Sequence, residues 1–280
     1  MRRFVLLATT LAAGSILGTC TYGQTANNTS PAGWQTSGCG DDWGRSHNHW
    51  GDGARGCEVR RATFPLGGDH LGVTSKNGGI AVVGEDRNDV AVEARVEVRA
   101  ESQEEVNSLL HQVQIETSGD QIRDSGPESR SGRTGYSVSY RLHVPRVLKT
   151  DLRTMNGGIA ISHLEGDIAF DTTNGGVQLD DLAGNVHGDT VNGGLEIKLT
   201  GDRWKGEGLR ARTTNGGVNL RIPQHYSAHL EAGTVNGGVS VDFPVTVQGE
   251  IKNRISTDIG SGGAVVQAET TNGGVQIRSS

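Results

Sequence analysis

One five-residue motif, Thr-x-Asn-Gly-Gly, recurs along the chain and constrains its fold more than any other feature. Each copy is followed by an apolar–x–apolar triplet, as in Val177-Gln178-Leu179. Side chains alternate across a strand, so each triplet predicts a short strand with two inward residues and one outward residue. Ser75 replaces threonine in the first copy. The asparagines of the seven turns are Asn77, Asn156, Asn174, Asn192, Asn215, Asn236 and Asn272.

The spacing of the motif indicates how its copies are arranged. From Asn156 onward the asparagines are 18, 18, 23, 21 and 36 residues apart. Burying the apolar side chains of one 18-residue coil stabilises it by about 10–15 kcal/mol. Ordering its backbone costs about 18–36 kcal/mol, so one coil is not stable alone. Stacked coils share a core, as in repeat proteins, and the sequence therefore predicts an all-β, β-solenoid-like stack of short strands.

Stacking also gives the asparagines and threonines a structural role. Amides repeated at one corner can form a hydrogen-bonded ladder, with the threonines in a parallel row. Two alternatives stay open: Asn-Gly as a type I′ hairpin turn, and asparagine chosen only because it tolerates a left-handed backbone beside glycine.

Three features depart from the regular period. The 23- and 21-residue steps indicate local insertions such as residues 201–204, and the motif at Asn77 stands alone far upstream. The last step, 36, is twice 18 and contains a degenerate unit, Ser261-Gly262-Gly263.

The region 59–146 has the pattern of ordinary strands and one helix. Apolar and charged residues alternate in 90–99 and again in 136–144, which predicts half-buried strands. Ser102 and Glu105 form a capping box before apolar residues at helical spacing, which predicts a short helix near 103–113. The stretch from Asp124 to Thr134 reads as a loop.

The N-terminus has the pattern of an export signal. Arg2 and Arg3 precede the apolar run Phe4 to Leu17, which predicts a signal peptide over 1–23 with cleavage before Gln24. The run is shorter than the roughly 20 residues of a membrane-spanning helix, so we expect no integral membrane segment after cleavage. Acylation of Cys20 as a lipoprotein is the alternative.

The remaining cysteines fit an oxidising compartment. Cys39 and Cys57 predict a disulfide. We interpret residues 24–58 as a flexible tether and a disulfide-closed loop, and residues 59–280 as the repetitive all-β domain. Without Arg2 and Arg3 the chain has 24 basic and 32 acidic residues, a charge of −8. No basic patch stands out, so nucleic acid is not an expected partner.

The sequence has no convincing catalytic or metal-binding set. His47 and His49 lie near acidic residues but lack a third ligand at defined spacing, so we predict no metal and no cofactor. Nucleophile elbows, P-loops and dinucleotide fingerprints are absent. Acidic residues in successive coils keep a polysaccharide-acting enzyme open as an alternative. These acidic residues are Asp167, Asp171, Asp180, Asp181 and Asp189.

Taken together, these motifs resemble a bacterial domain family named "putative adhesin", whose function is unknown. The resemblance covers residues 57–280, from Cys57 through the helix and the serial Thr-x-Asn-Gly-Gly units to the Asp242-Phe243-Pro244-Val245 segment. It implies a β-solenoid-like fold on exported, envelope-associated proteins, and it supplies no catalytic residues.

The leading hypothesis is a non-enzymatic exported protein of the periplasm, cell envelope or medium. Its repetitive β surface would bind a macromolecule such as a glycan, a surface polymer or a protein. A periplasmic scaffold linked to envelope stress is a third hypothesis, beside the enzyme.

Overall fold

A computed structural model describes residues 28–29, 33–40, 53–128, 134–242 and 253–280 and contains one helix and two large sheets. In chain order the elements are β1 (Asn28–Thr29), β2 (Gln35–Gly38), β3 (Ala54–Pro65), β4 (His70–Asn77), β5 (Ile80–Glu85), β6 (Asp89–Ala100), α1 (Gln103–Gln112), β7 (Gln114–Ser118), β8 (Gln121–Ser125), β9 (Gly135–Pro145), β10 (Lys149–Asn156), β11 (Ile159–Ser162), β12 (Glu165–Asn174), β13 (Val177–Asp180), β14 (Ala183–Asn192), β15 (Leu195–Lys198), β16 (Gly208–Asn215), β17 (Val218–Ile222), β18 (Ala228–Asn236), β19 (Val239–Asp242), β20 (Arg254–Ile259), β21 (Val265–Asn272) and β22 (Val275–Ser279). The predicted signal peptide lies outside the described residues.

The two sheets face each other across one hydrophobic core. Sheet I has the strand order β1-β2-β3-β6-β9-β5-β11-β13-β15-β17-β22-β19, and sheet II has the order β20-β18-β21-β16-β14-β12-β10-β4-β8-β7. Each coil consists of a sheet II strand that ends in asparagine, a Gly-Gly corner, and a short sheet I strand. Neighbouring coils pair in parallel and in register, so that Asn156 lies beside Asn174. The predicted all-β, solenoid-like stack is confirmed.

The core follows the predicted alternation. The triplet residues that should point inward are buried: Ile159 and Ile161 are each 1% exposed. The residue between them, Ala160, is only partly covered and lies on the outer face of sheet I. Each coil therefore contributes its apolar pair to a core that is continuous with those of its neighbours.

The coils do not stack in chain order. The coil β21/β22 inserts between β16/β17 and β18/β19. The motif at Asn77, isolated in sequence, joins the stack through the pairing of β4 with β10. The Ser261-Gly262-Gly263 unit is not a corner: it forms the turn into β21 after β20, which runs antiparallel to β18.

The region before the regular coils extends both sheets. Strands β3, β6 and β9 are antiparallel and continue sheet I, and β9 then pairs in parallel with β5. The predicted helix is confirmed as α1: Ser102 caps it by accepting a hydrogen bond from the Glu105 N–H at 3.2 Å, and Val106 and Leu109 are buried. The antiparallel hairpin β7–β8 was not predicted, and β8 continues to Ser125, past the expected loop start at Asp124.

Candidate binding trough

The motif asparagines form one continuous ladder along a corner of the stack. In each of the six bonds the carboxamide nitrogen of one asparagine donates to the carboxamide oxygen of its neighbour at 2.8–2.9 Å. In spatial order the members of this asparagine ladder are Asn77, Asn156, Asn174, Asn192, Asn215, Asn272 and Asn236. None of them has a positive φ, so tolerance of a left-handed backbone does not explain the residue type.

The threonines and the first glycine of each motif hold neighbouring coils close together. Thr172 Oγ1 donates to the carbonyl oxygen of Gly157 in the adjacent coil at 2.8 Å, and Thr190 does the same to Gly175. A Cβ on Gly175 would overlap the backbone of Gly157. Close approach of two backbones is therefore the reason for the first glycine.

The second glycine of each motif has a different consequence, because it opens a trough on the outer face of sheet I. The trough has a volume of about 1070 Å³. Its glycines are Gly79, Gly158, Gly176, Gly194, Gly217 and Gly274. Beside them lie the outward triplet residues Ala81, Ala160, Gln178, Glu196, Asn219 and Gln276. Six strands spaced by about 4.8 Å make the trough roughly 24 Å long.

A row of backbone N–H groups lies along these glycines. The Gly79 N–H donates to Ser139 Oγ at 3.2 Å, and Ser139 is the residue of β9 beside Gly79. In the next coil the neighbour of Gly158 is Gly79 itself, which has no side chain to accept a bond. Among the described residues the N–H groups of the five later trough glycines have no hydrogen-bond acceptor. The trough thus presents a periodic row of donors.

The polar side chains of the trough are amides and paired charges. Gln178 and Gln276 are exposed. Asn219 Oδ1 is shielded from water and has no hydrogen-bond partner among the described residues. The carboxylate of Glu196 pairs with Arg221 at 3.1 Å. The middle of the trough is therefore rich in hydrogen-bonding groups, and its charge is largely compensated.

One end of the trough meets the disulfide. Arg95 and Glu97 of β6 line this end and form an ion pair at 2.8 Å. Arg95 Nε also lies 3.4 Å from the sulfur of Cys57, which is bonded to Cys39. The predicted disulfide is thus present and borders the trough. His47 and His49 lie outside the described residues.

The acidic residues that suggested an enzyme as the alternative function do not come together at one site. Asp167, Asp171 and Asp189 belong to the sheet II strands β12 and β14, with Asp171 beside Asp189. At the opposite end of the coil, Asp180 is the last residue of β13 and Asp181 follows it. Hydrogen bonds from Thr200 Oγ1 and then His163 hold the pKa of Asp181 below its ordinary value, so it stays ionised at neutral pH.

The sequence analysis did not identify one buried carboxyl group, that of Asp124. Asp124 accepts a hydrogen bond from Tyr140 Oη at 3.4 Å, and Ser75 and Tyr136 lie within hydrogen-bonding reach. Burial raises the pKa of Asp124 in spite of these bonds, and burial beside Asp124 raises the pKa of Tyr136 to about 12. Asp124 belongs to β8, the strand next to the edge of sheet II, and is not among the residues that line the trough. The described residues contain no cluster of three or more metal-ligating side chains.

A comparison with family models identifies the repetitive part of the chain. Residues 146–278 match the model described as Toastrack DUF4097. This region is therefore similar to Toastrack domains. The matched region begins just before β10, so the Toastrack match takes in six of the seven asparagine corners. The seventh, at Asn77, lies upstream of it but continues the same ladder. Within the described residues no helix is long and apolar enough to cross a bilayer.

The solved structures that match this protein share little sequence identity with it. A putative cell adhesion protein from Clostridium sporogenes is 11% identical, with a TM-score of 0.44 over 79% of this chain and 99% of that one. A putative adhesin from Bacteroides fragilis is 10% identical, with a TM-score of 0.28 over 79% and 97%. A putative lipid binding protein from Parabacteroides distasonis is 10% identical, with a TM-score of 0.29 over 79% and 96%. No curated protein matches the chain. Such distant likenesses carry no argument about function.

Proposed function

We propose that this protein is an exported, non-enzymatic binding protein whose trough holds an extended, hydroxyl-rich polymer such as a neutral polysaccharide. The observation that carries the proposal is the row of unpaired N–H donors along the trough. Ser139 Oγ already occupies the first position of this row, and a polymer hydroxyl has the same chemistry as this side chain. A polymer lying along the stack would meet a donor at every coil.

The charge of the trough favours a neutral polymer. Arg95 is paired with Glu97, and Glu196 is paired with Arg221. No excess of cations is left to hold a polyanion, and the whole chain has a net charge of −6. Nucleic acid, which binds mainly through cation–phosphate contacts, therefore does not fit.

The geometry disfavours an extended peptide. Peptides that bind by strand addition need the open edge of a sheet. The trough runs across the strands of sheet I, whose members are already paired on both sides from β5 to β22. A polymer in the trough must therefore use hydroxyl and side-chain contacts to the outer face.

The arrangement of the carboxylates supports the proposal of a non-enzymatic role. Glycoside hydrolysis needs one protonated and one ionised carboxyl group facing the same bond. The two carboxylates of the trough, Glu97 and Glu196, are each in an ion pair and belong to β6 and β15, separated by four strands of sheet I.

The experiment is binding to a panel of soluble polysaccharides, measured by isothermal titration calorimetry with Gly217→Leu beside the wild type. A Cβ at Gly217 lies 3.5 Å from the nearest atom, Gly274 O, so the leucine fits the fold and fills the trough. We expect at least tenfold weaker binding.

The matched control is Thr214→Leu, which adds a leucine at an exposed sheet II position of the same coil. It should bind like the wild type. Equal loss in both variants, or no binding of the wild type to any neutral polymer, would refute the proposal. Shortening of the bound polymer, followed by size-exclusion chromatography, would favour the enzyme instead.

A further inference from the structure

A second cavity lies at the opposite corner of the coils, where the chain returns from sheet I to sheet II. We call it the corner cavity, and its volume is about 250 Å³. Several successive turns contribute to it, and the polar side chains that line it are Arg146, His163, Glu165, Asp181, Thr200, Arg203 and Lys205. It shares no residue with the trough.

The inserted residues of the 23-residue step form one wall of the corner cavity. The loop between β15 and β16 is fixed by Trp204, which is 6% exposed and whose Nε1 donates to Gly184 O at 3.0 Å. The Lys205 carbonyl oxygen accepts a hydrogen bond from the Gly184 N–H at 2.6 Å. Arg203 and Lys205 flank this anchored tryptophan, so the insertion holds two cations against the corner of the previous coils.

Asp181 organises the opposite wall. It accepts hydrogen bonds from Thr200 Oγ1, from His163 Nδ1 at 2.7 Å and from Arg146 at 3.2 Å. His163 and Asp181 have φ values of 56° and 53°, the only positive ones among the described non-glycine residues. Left-handed non-glycine residues are uncommon, and here they turn the histidine and the aspartate toward each other. Asp181 therefore fixes Arg146 and His163 in place.

The corner cavity carries local positive charge on an acidic protein. Among the residues that line the cavity, Arg146, Arg203 and Lys205 carry three positive charges, and Asp181 and Glu165 carry two negative ones. Lys205 has no ion-pair partner among the described residues, and the nearest carboxylate to Arg203 is Asp202 at 3.7 Å. Arginine and lysine side chains that line one cavity can recognise oxyanions through charge-assisted hydrogen bonds.

We propose that the corner cavity binds a phosphate group, free or carried by a polymer or a lipid. The phosphate oxygens would accept hydrogen bonds from Arg203 and Lys205 on one side and from Arg146 on the other, with the His163 ring beside them. A volume of about 250 Å³ accommodates one phosphate and leaves the ester substituent to extend into solvent. The site is independent of the trough and of the neutral polymer proposed for it.

The test is calorimetric titration of inorganic phosphate into the wild type and into the double variant Arg203→Ala/Lys205→Ala. Both side chains are well exposed, so the fold should survive, which circular dichroism would verify. Each lost charge-assisted hydrogen bond should weaken binding about tenfold, and the double variant about a hundredfold.

The matched control is Lys76→Ala/Arg153→Ala, which removes the same charge from the asparagine side of the stack. Lys76 is exposed, and within the described residues the only ion pair of Arg153 is with Asp151 on the same strand, at 2.8 Å. The control should bind phosphate like the wild type. No saturable phosphate binding by the wild type, or equal weakening in the control, would overturn the proposal.

Two further titrations distinguish the sources of the phosphate. A phosphorylated polysaccharide and vesicles containing phosphatidylglycerol should each be tried, with and without excess inorganic phosphate. Binding that phosphate displaces, and that the Arg203→Ala/Lys205→Ala variant loses, supports the site and names its source. Binding that persists in excess inorganic phosphate and in the Arg203→Ala/Lys205→Ala variant would place the interaction elsewhere and count against the corner cavity.

Discussion

The two adjacent glycines of a motif should respond in opposite ways to the same substitution. At Gly175, the first glycine, a new Cβ would overlap the backbone carbonyl of Gly157 in the next coil. Backbone cannot rotate away as a side chain can, so the coils must separate. At Gly176, the second glycine, the nearest atom to a new Cβ is Gly194 O at 3.4 Å, an ordinary contact.

The structure gives the size of both effects. Separating the coils at Gly175 strains the packing by about 1–3 kcal/mol. It also weakens the bond from the Gly157 N–H to Asn174 O at 3.0 Å and the bond from Thr172 Oγ1 to Gly157 O at 2.8 Å, which join the same two coils. Each is worth about 1 kcal/mol, so Gly175→Ala should destabilise the fold by about 3–5 kcal/mol. Gly176→Ala should be neutral or stabilise by up to about 1 kcal/mol, because alanine restricts the unfolded chain.

The assay is urea denaturation of both variants and the wild type, followed by far-ultraviolet circular dichroism and tryptophan fluorescence. Gly175→Ala should lower the midpoint strongly, and Gly176→Ala should leave it unchanged or raise it slightly. Equal shifts for the two variants would refute the reasoning. They would mean that glycine is needed for its backbone conformation at both positions and not for the approach of neighbouring coils at the first.

Three further perturbations test other parts of the fold by the same denaturation assay. Asn192→Ala removes two bonds of the asparagine ladder and should lower the free energy of unfolding by about 1–2 kcal/mol. Asn77→Ala removes one bond and should lower it by about half as much. Equal losses would contradict a ladder in which each bond contributes separately. Reducing the Cys39–Cys57 disulfide should cost about 3 kcal/mol, measured with and without reductant, and no change would mean that the reduced chain retains the same constraint. Because burial raises the pKa of Asp124 above its unfolded value, its contribution is full below about pH 4 and is lost as pH rises through the folded pKa. Asp124→Asn should therefore gain stability relative to the wild type between pH 4 and pH 7, and a constant difference would contradict the raised pKa.

The repeat unit was predictable because its physical constraints are local. Alternation in triplets such as Val177-Gln178-Leu179 fixes which side chains point inward, and 18 residues are too few to form a stable unit alone. The capping box at Ser102 likewise predicted the start of α1 from a few adjacent residues. Each of these signals lies within one coil or one turn of the sequence, and the structure agrees with each of them.

The trough and the corner cavity were not predictable in the same way. Both are assembled from one residue or a few residues of each of several coils, so no local pattern contains them. The sequence does place a second glycine in every motif, but only the register of the stack turns these glycines into one row. The partnership of His163, Asp181 and Thr200 likewise depends on which corners become neighbours. The spacing of the motifs indicated the period of the repeat but not the order of the coils in the stack.

The inserted order of the coils explains how sheet II ends. Had the coils followed the chain, β21 would lie last, with an open parallel edge that ends in Asn272 and a Gly-Gly corner. Such an edge could pair with a coil of a second copy of this protein, because the unpaired backbone groups of a regular edge strand are a template for pairing with another chain. Instead β21 is enclosed between β16 and β18, and β18 is covered by the antiparallel strand β20. Strand β20 has no Asn-Gly-Gly corner, so the repeat on sheet II stops at a strand that cannot continue the asparagine ladder.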